Sequence, residues 1–140
     1  MYLFIIRRWL DTSRRNPKYV CIELRKKILN SEIIAMPAYH WSRRLGQKYN
    51  STLWNGYMIN YKKTKIYFSG DTAFGPVFKK LGNKYGPFDL TIVPIGAYEP
   101  RGMMQASHCT PEEAVQITQM LQSKKILGMH WGTILSLIHI

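Results

Sequence analysis

The chain has 140 residues, 46% of them hydrophobic, and a formal net charge of +12. That length allows one domain with a real core, roughly 68–70% of the unfolded surface being buried if the fold is complete, and the apolar content excludes a chain too polar to fold. It also excludes two classes: no apolar run approaches the roughly 18–20 residues that a spanning helix needs, and Cys21 and Cys109 stand far apart without the paired partners of a disulfide framework or zinc ribbon.

The basic charge draws the chain to phosphate-rich partners, nucleic acid or anionic lipid headgroups, but it is unevenly placed. Residues 1–28 hold eight Lys and Arg against Asp11 and Glu23. Residues 1–30 are therefore expected to be an irregular, solvated basic segment, and residues 31–140 the structured part. Within the first segment only Ile5, Ile6, Trp9 and Leu10 suggest a short helix, broken at Asn16-Pro17. Unpaired cysteines and the lack of a signal-peptide pattern make a cytoplasmic setting the expectation, with peripheral attachment to a membrane left open.

Order is expected from about Leu29. Ser31 to Met36 reads as a short buried strand closed by Pro37, which places His40 in the loop at its end. Ser42 to Ser51 is polar and basic, a surface loop. Thr52 to Tyr61 and Thr64 to Ser69 are two β-type runs separated by Lys62-Lys63, the spacing of a tight hairpin. The second run breaks at Gly70 and delivers Asp71 to the rim of a sheet. Pro76 at a first helical position, followed by Val77, Phe78, Leu81 and Tyr85, predicts a helix stopped by Gly86-Pro87. Leu90 to Ile95 is another buried strand.

Gly96 to Ser107 is a loop long enough to be functional, and it leads to His108. Thr110-Pro111-Glu112-Glu113 then specifies a helix start by N-cap, N1 proline and N3 glutamate. A last strand, Ile126 to Met129, delivers His130. Strands alternating with helices predict a mixed α/β fold with the polar candidates at strand ends.

Each candidate has a plain structural reading beside the functional one. His40 alone would be a loop histidine, Asp71 a turn residue or helix cap, and His108 a residue that precedes an N-cap. His139, in the apolar stretch from Ile134 to Ile140, carries no role. Together, two histidines and an aspartate suit a zinc-like ion, either as a facial triad on one ion or as part of a two-metal site with the carboxylate bridging.

From about Ser31 to Thr133 the sequence resembles the metallo-β-lactamase superfamily, in its N-acyl-phosphatidylethanolamine phospholipase D-like branch. The stretches that carry this are Met36-Pro37-Ala38-Tyr39-His40-Trp41-Ser42-Arg43-Arg44, Phe68-Ser69-Gly70-Asp71-Thr72, Gly86-Pro87-Phe88-Asp89-Leu90, Pro94-Ile95-Gly96-Ala97-Tyr98-Glu99-Pro100-Arg101, Pro111-Glu112-Glu113-Ala114 and His130-Trp131-Gly132-Thr133. The resemblance implies the C-terminal half of an αββα sandwich that carries a dinuclear zinc centre. It implies metal-ligand roles for His40, Asp71 (as the bridge) and His130, and catalytic roles for Asp71 and His108, on a phospholipid or other phosphodiester substrate.

Two departures qualify this. Tyr39 stands where the family's glutamine is more familiar, an exchange expected to be tolerated. The family's His-x-His-x-Asp-His motif is absent, since no histidine precedes His40. The expectation is therefore a fragment of a metal-dependent hydrolase, from a truncated or split gene, inactive alone and holding zinc weakly or not at all. A complementing N-terminal half is its expected partner, and an apolar sheet face is left without its usual cover. The competing expectation is a basic, non-catalytic module for anionic lipid or nucleic acid, with no specific nucleic-acid partner indicated.

Overall fold

The computed structural model of the protein describes residues 8–9, 21–22, 25–43, 45–51 and 54–132. The helix suggested near Ile5 to Leu10, the apolar stretch from Ile134 and His139 lie outside them, apart from Arg8 and Trp9. Two short strands, β1 (Arg8–Trp9) and β2 (Cys21–Ile22), pair antiparallel. A six-stranded sheet follows, built from β3 (Arg25–Ile28), β4 (Ser31–Met36), β5 (Gly56–Tyr61), β6 (Thr64–Phe68), β7 (Leu90–Pro94) and β8 (Ile126–Met129).

The strands lie in chain order across the sheet. β3 to β6 are joined antiparallel, whereas β6, β7 and β8 are parallel. Parallel neighbours require a crossover, and helices supply it here: α1 (Val77–Tyr85) between β6 and β7, and α3 (Pro111–Met120) between β7 and β8. A four-residue helix, α2 (Arg101–Met104), interrupts the segment expected to be a plain loop.

Two tight turns set the antiparallel register. Ile28 pairs with Ser31 across Leu29-Asn30, and Tyr61 with Thr64 across Lys62-Lys63. The first residue of each turn is left-handed, Leu29 at φ 53° and Lys62 at φ 53°. Such turns match strand twist and normally favour Gly, Asn or Asp; here the lysine hairpin forms nonetheless. β3 lies inside the segment expected to be irregular. Its Arg25, Lys26 and Lys27 hide the hydrophobic alternation, because an edge strand can carry charge on both faces. Arg25 also pairs with Glu32 of β4 at 3.7 Å.

Period-two alternation decides which face becomes core. The cross-sheet row Ile34, Met58, Tyr67 and Thr91 is buried throughout. It packs with Val77, Phe78 and Leu81 of α1 and Ala114 and Ile117 of α3, each large side chain gaining roughly 1.5–3 kcal/mol by burial. The neighbouring row Ile33, Ile59, Ile66 and Leu90 faces the other way and is only half-buried, while Tyr57 and Leu127 on that face are exposed. The apolar second face expected from the sequence is present.

Asp89 fastens the edge where β6, β7 and β8 begin. Its carboxylate accepts from Lys65 N at 2.8 Å and pairs with Lys124 Nζ at 2.8 Å, which holds its carboxyl below the usual range. α1 starts one residue later than the sequence suggests, with Pro76 as its N-cap at φ −68° and its side chain offering no cap. The capping box of α3 forms as expected: Thr110 Oγ1 accepts from Glu113 N, and Glu113 Oε2 accepts from Thr110 N.

The two helices touch at Gly82. A Cβ built there would lie 1.9 Å from Met120 O, so only glycine permits the approach despite its cost inside a helix. Gly82→Ala is therefore expected to destabilise the domain by about 1–3 kcal/mol through overpacking, against the gain that helix propensity alone would give. Urea unfolding of the variant distinguishes the two, since a rise in stability would mean that the helices are not in contact there.

Candidate metal centre

Strand direction gathers the candidates. β4 and β6 both run antiparallel to β5, so they point the same way, and β7 and β8 run parallel to β6. The C-terminal ends of β4, β6, β7 and β8 therefore share one edge of the sheet. His40 follows β4, Asp71 follows β6, and His130 follows β8 directly, while His108 reaches the same edge from the segment between β7 and α3.

Two backbone links draw the first pair of ends together. Tyr39 N donates to Thr72 Oγ1 at 2.9 Å, and Ala73 N donates to Tyr39 O at 2.8 Å. Tyr39 adds a third, because its hydroxyl accepts from Val77 N at 3.2 Å at the start of α1. Its ring lies so close to Gly75 that a Cβ there would fall 2.3 Å from it. Asp71 itself follows Gly70, whose φ of +63° turns the chain sharply at the end of β6.

The side chains then meet in a chain of contacts. The rings of His40 and His108 are 5.2 Å apart edge to face, and those of His108 and His130 are 5.6 Å apart and stacked. His130 Nε2 lies 4.0 Å from Asp71 Oδ1. His130 has φ 64°, an unfavourable conformation for a non-glycine residue, at a position where the backbone is crowded: a Cβ on Gly96 would stand 2.0 Å from His130 O. Burial, followed by the neighbouring His40, holds the His108 imidazole below the usual histidine range, with Asp71 acting in the opposite direction.

His40 is set up as a donor of electron pairs. Its Nδ1 sits 2.7 Å from Trp41 O, so in the neutral ring Nδ1–H donates to that carbonyl and Nε2 keeps its lone pair. Among the described residues, both His40 Nε2 and His108 Nδ1 are buried without a hydrogen-bond partner, as are the core atoms Tyr67 Oη and Thr91 Oγ1. Buried polar atoms are rarely left in that state, and imidazole nitrogens with a nearby carboxylate are a donor set that a borderline divalent ion accepts. The count is lower than the chemistry: among the described residues, no three His, Cys, Asp or Glu side chains are grouped to close on one ion. The described residues do not by themselves close a metal site.

Cys109 stands apart from this set although it follows His108. It is fully buried, its Sγ lies 3.2 Å from Pro94 O, and burial pushes its thiol up to about 12.

The sequence reading assigns Arg101 no role at the site. One guanidinium nitrogen donates to His108 O at 2.9 Å, another pairs with Glu113 Oε1, and Arg101 N donates to Glu99 Oε2 at 2.8 Å. Glu113 thus caps α3 with one oxygen and holds Arg101 with the other. The only advance signal was the Glu99-Pro100-Arg101 stretch itself, since the contact to Glu113 spans α2 and the loop. Arg101→Ala is expected to cost about 1–3 kcal/mol in urea unfolding, with Arg101→Lys recovering only part because a lysine cannot reach both acceptors as a planar fork. Equal stability of the alanine variant would show that the network does not hold this segment.

Comparison with known proteins agrees with this arrangement. The family model described as a beta-lactamase superfamily domain matches residues 6–131. N-acyl-phosphatidylethanolamine-hydrolyzing phospholipase D 1 of Caenorhabditis elegans is 44% identical over 102 residues, which cover 72% of this chain and 29% of that protein. A UPF0173 metal-dependent hydrolase of Thermococcus onnurineus is 33% identical over 102 residues, covering 73% of this chain and 41% of the relative. Among solved structures, Igni18, a metallo hydrolase of Ignicoccus hospitalis, superposes with a TM-score of 0.59 at 22% identity, over 79% of this chain and 43% of that one, a likeness of fold. The chain thus spans well under half the length of each of these three. A sheet whose strand ends gather three histidines and an aspartate, together with a family match over most of its length, places this chain in the metallo-β-lactamase superfamily of hydrolases.

Proposed function

We propose that this chain carries part of the active site of a zinc-dependent phosphodiesterase of phospholipase D type, and that alone it holds metal too weakly to turn over substrate. The observation that carries the reading is the pair of buried imidazole nitrogens, His40 Nε2 and His108 Nδ1, left without a partner among the described residues in a cluster completed by Asp71 and His130. The similarity to an N-acyl-phosphatidylethanolamine-hydrolyzing phospholipase D supports the substrate class. The absence of a His-x-His-x-Asp-His motif from the 140 residues supports the weak binding.

In this reading His40, Asp71 and His130 would hold metal. A bound divalent ion supplies Lewis-acid stabilisation of charge on phosphoryl oxygens. The remaining work falls to the chain itself. The Trp41 carbonyl orients His40 so that Nε2 faces the site, Thr72 and Tyr39 keep Asp71 beside it, and Arg101 holds the backbone that presents His108 to a substrate or leaving group.

Zinc titration of the purified chain by calorimetry, with hydrolysis of a chromogenic phosphodiester as the second readout, tests this. Binding should be detectable but fall short of the ~10–16 kcal/mol of complete structural zinc sites, and should weaken further in His40→Ala and His130→Ala. Turnover should be absent. Two tightly held ions with turnover would contradict the weak-site claim, and zinc binding indifferent to both substitutions would contradict the assignment of the ligands.

A further inference from the structure

We propose that the rim of the histidine cluster is a docking surface for an anionic membrane, with residues 41–43 and 45–49 as the element that enters the headgroup layer. The inference rests on the phospholipid reading above for its purpose, while the binding itself needs neither metal nor turnover.

The observation is an apolar, aromatic and cationic loop beside the site. Trp41 stacks on His40 at 5.7 Å and on Tyr49 at 5.7 Å, so an aromatic column runs from the site into solvent. Tyr49 is 59% exposed, and Leu45 at 106% touches essentially nothing that covers it. On the other flank, Trp131 next to His130 is 73% exposed. Large apolar groups left in water at one place on a molecule mark a contact surface, and indole and phenol rings favour the membrane–water interface.

Charge points to the kind of partner. Arg43 and Lys48 are exposed in the same loop, and residues 41–51 contain no Asp or Glu. A cleft of about 340 Å³ is lined by Trp41, Arg43, Leu45, Gly46 and Gln47, which sets a guanidinium beside an indole and an aliphatic side chain. That combination suits a lipid phosphate with its glycerol and acyl portion alongside. A nucleic-acid strand would use the arginine and the rings, but a fully exposed leucine gains nothing from stacking bases. A charge run is ordinarily a solvated face; an aliphatic side chain at its tip, between two aromatic residues, is what a solvated face lacks.

Co-sedimentation of the full chain with vesicles, without added metal and at physiological salt, tests the proposal. Vesicles of phosphatidylcholine alone are compared with vesicles containing phosphatidylserine. The chain should bind the anionic vesicles, and the double variant Arg43→Glu with Leu45→Asp should lose at least about tenfold in partitioning. The control carries Lys79→Glu and Lys80→Glu on exposed positions of α1, a larger change in charge away from the rim, and should lose clearly less. An equal or greater loss in the control would mean diffuse charge and overturn the loop assignment, as would a wild-type chain that ignores anionic vesicles. A loop variant that keeps vesicle binding but loses binding to an oligouridine strand would replace the membrane with nucleic acid.

Discussion

Everything at the candidate site depends on strand direction. Because β5 is antiparallel to both of its neighbours, β4 and β6 leave the sheet on the same side, and the two helical crossovers return β7 and β8 in that direction as well. Carbonyl and side-chain termini from four strands are thereby brought to one edge without any of them having to travel. The opposite edge is fastened by Asp89, which ties the starts of β6 and β7 to Lys124 just before β8. Polar residues on the two edges thus have different jobs: Asp89 is consumed by its partners, whereas His40 and His108 keep nitrogens that no described residue satisfies. In a well-packed interior, an unsatisfied nitrogen is a cost that a bound water or ligand offsets.

The parts of this arrangement that are local were legible in the sequence. Thr110, Pro111 and Glu113 lie within one turn, so the start of α3 could be read with its capping box. Runs of β-branched and aromatic residues gave β4, β6, β7 and β8 to within a residue, and β4, β6 and β8 delivered His40, Asp71 and His130 to the end that the reading expected. What could not be read is non-local. The tie of Tyr39 to Thr72 spans 33 positions, and Arg101 meets Glu113 only because α2 and the His108 segment fold back. Tyr39, which the sequence presents only as a tolerated exchange, joins the end of β4 to the start of α1. β3 was concealed by its lysines and arginine, whose pattern carries no period.

The sheet has two apolar faces and the described helices cover one. Ile33, Ile59, Ile66 and Leu90 are half-buried on the other, and Leu127 and Tyr57 are exposed there. The same shortfall of partners recurs at the site, where imidazole and carboxylate donors converge but do not enclose an ion. The relatives matched over 102 residues are themselves more than twice that length. Exposed Trp41, Leu45 and Trp131 belong to a different category, since they lie at the rim beside His40 and His130 and not on the open sheet face.

His40, Asp71 and His130 are proposed to contribute ligands to a metal site. X-ray absorption at the zinc edge of the zinc-loaded full chain measures this most directly, because imidazole backscattering reports the ligands themselves. The account predicts imidazole nitrogen at about 2.0–2.1 Å, diminished in His40→Ala and again when His130→Ala is added. A first shell of water oxygen alone, or an imidazole signal unchanged in the double variant, would contradict it.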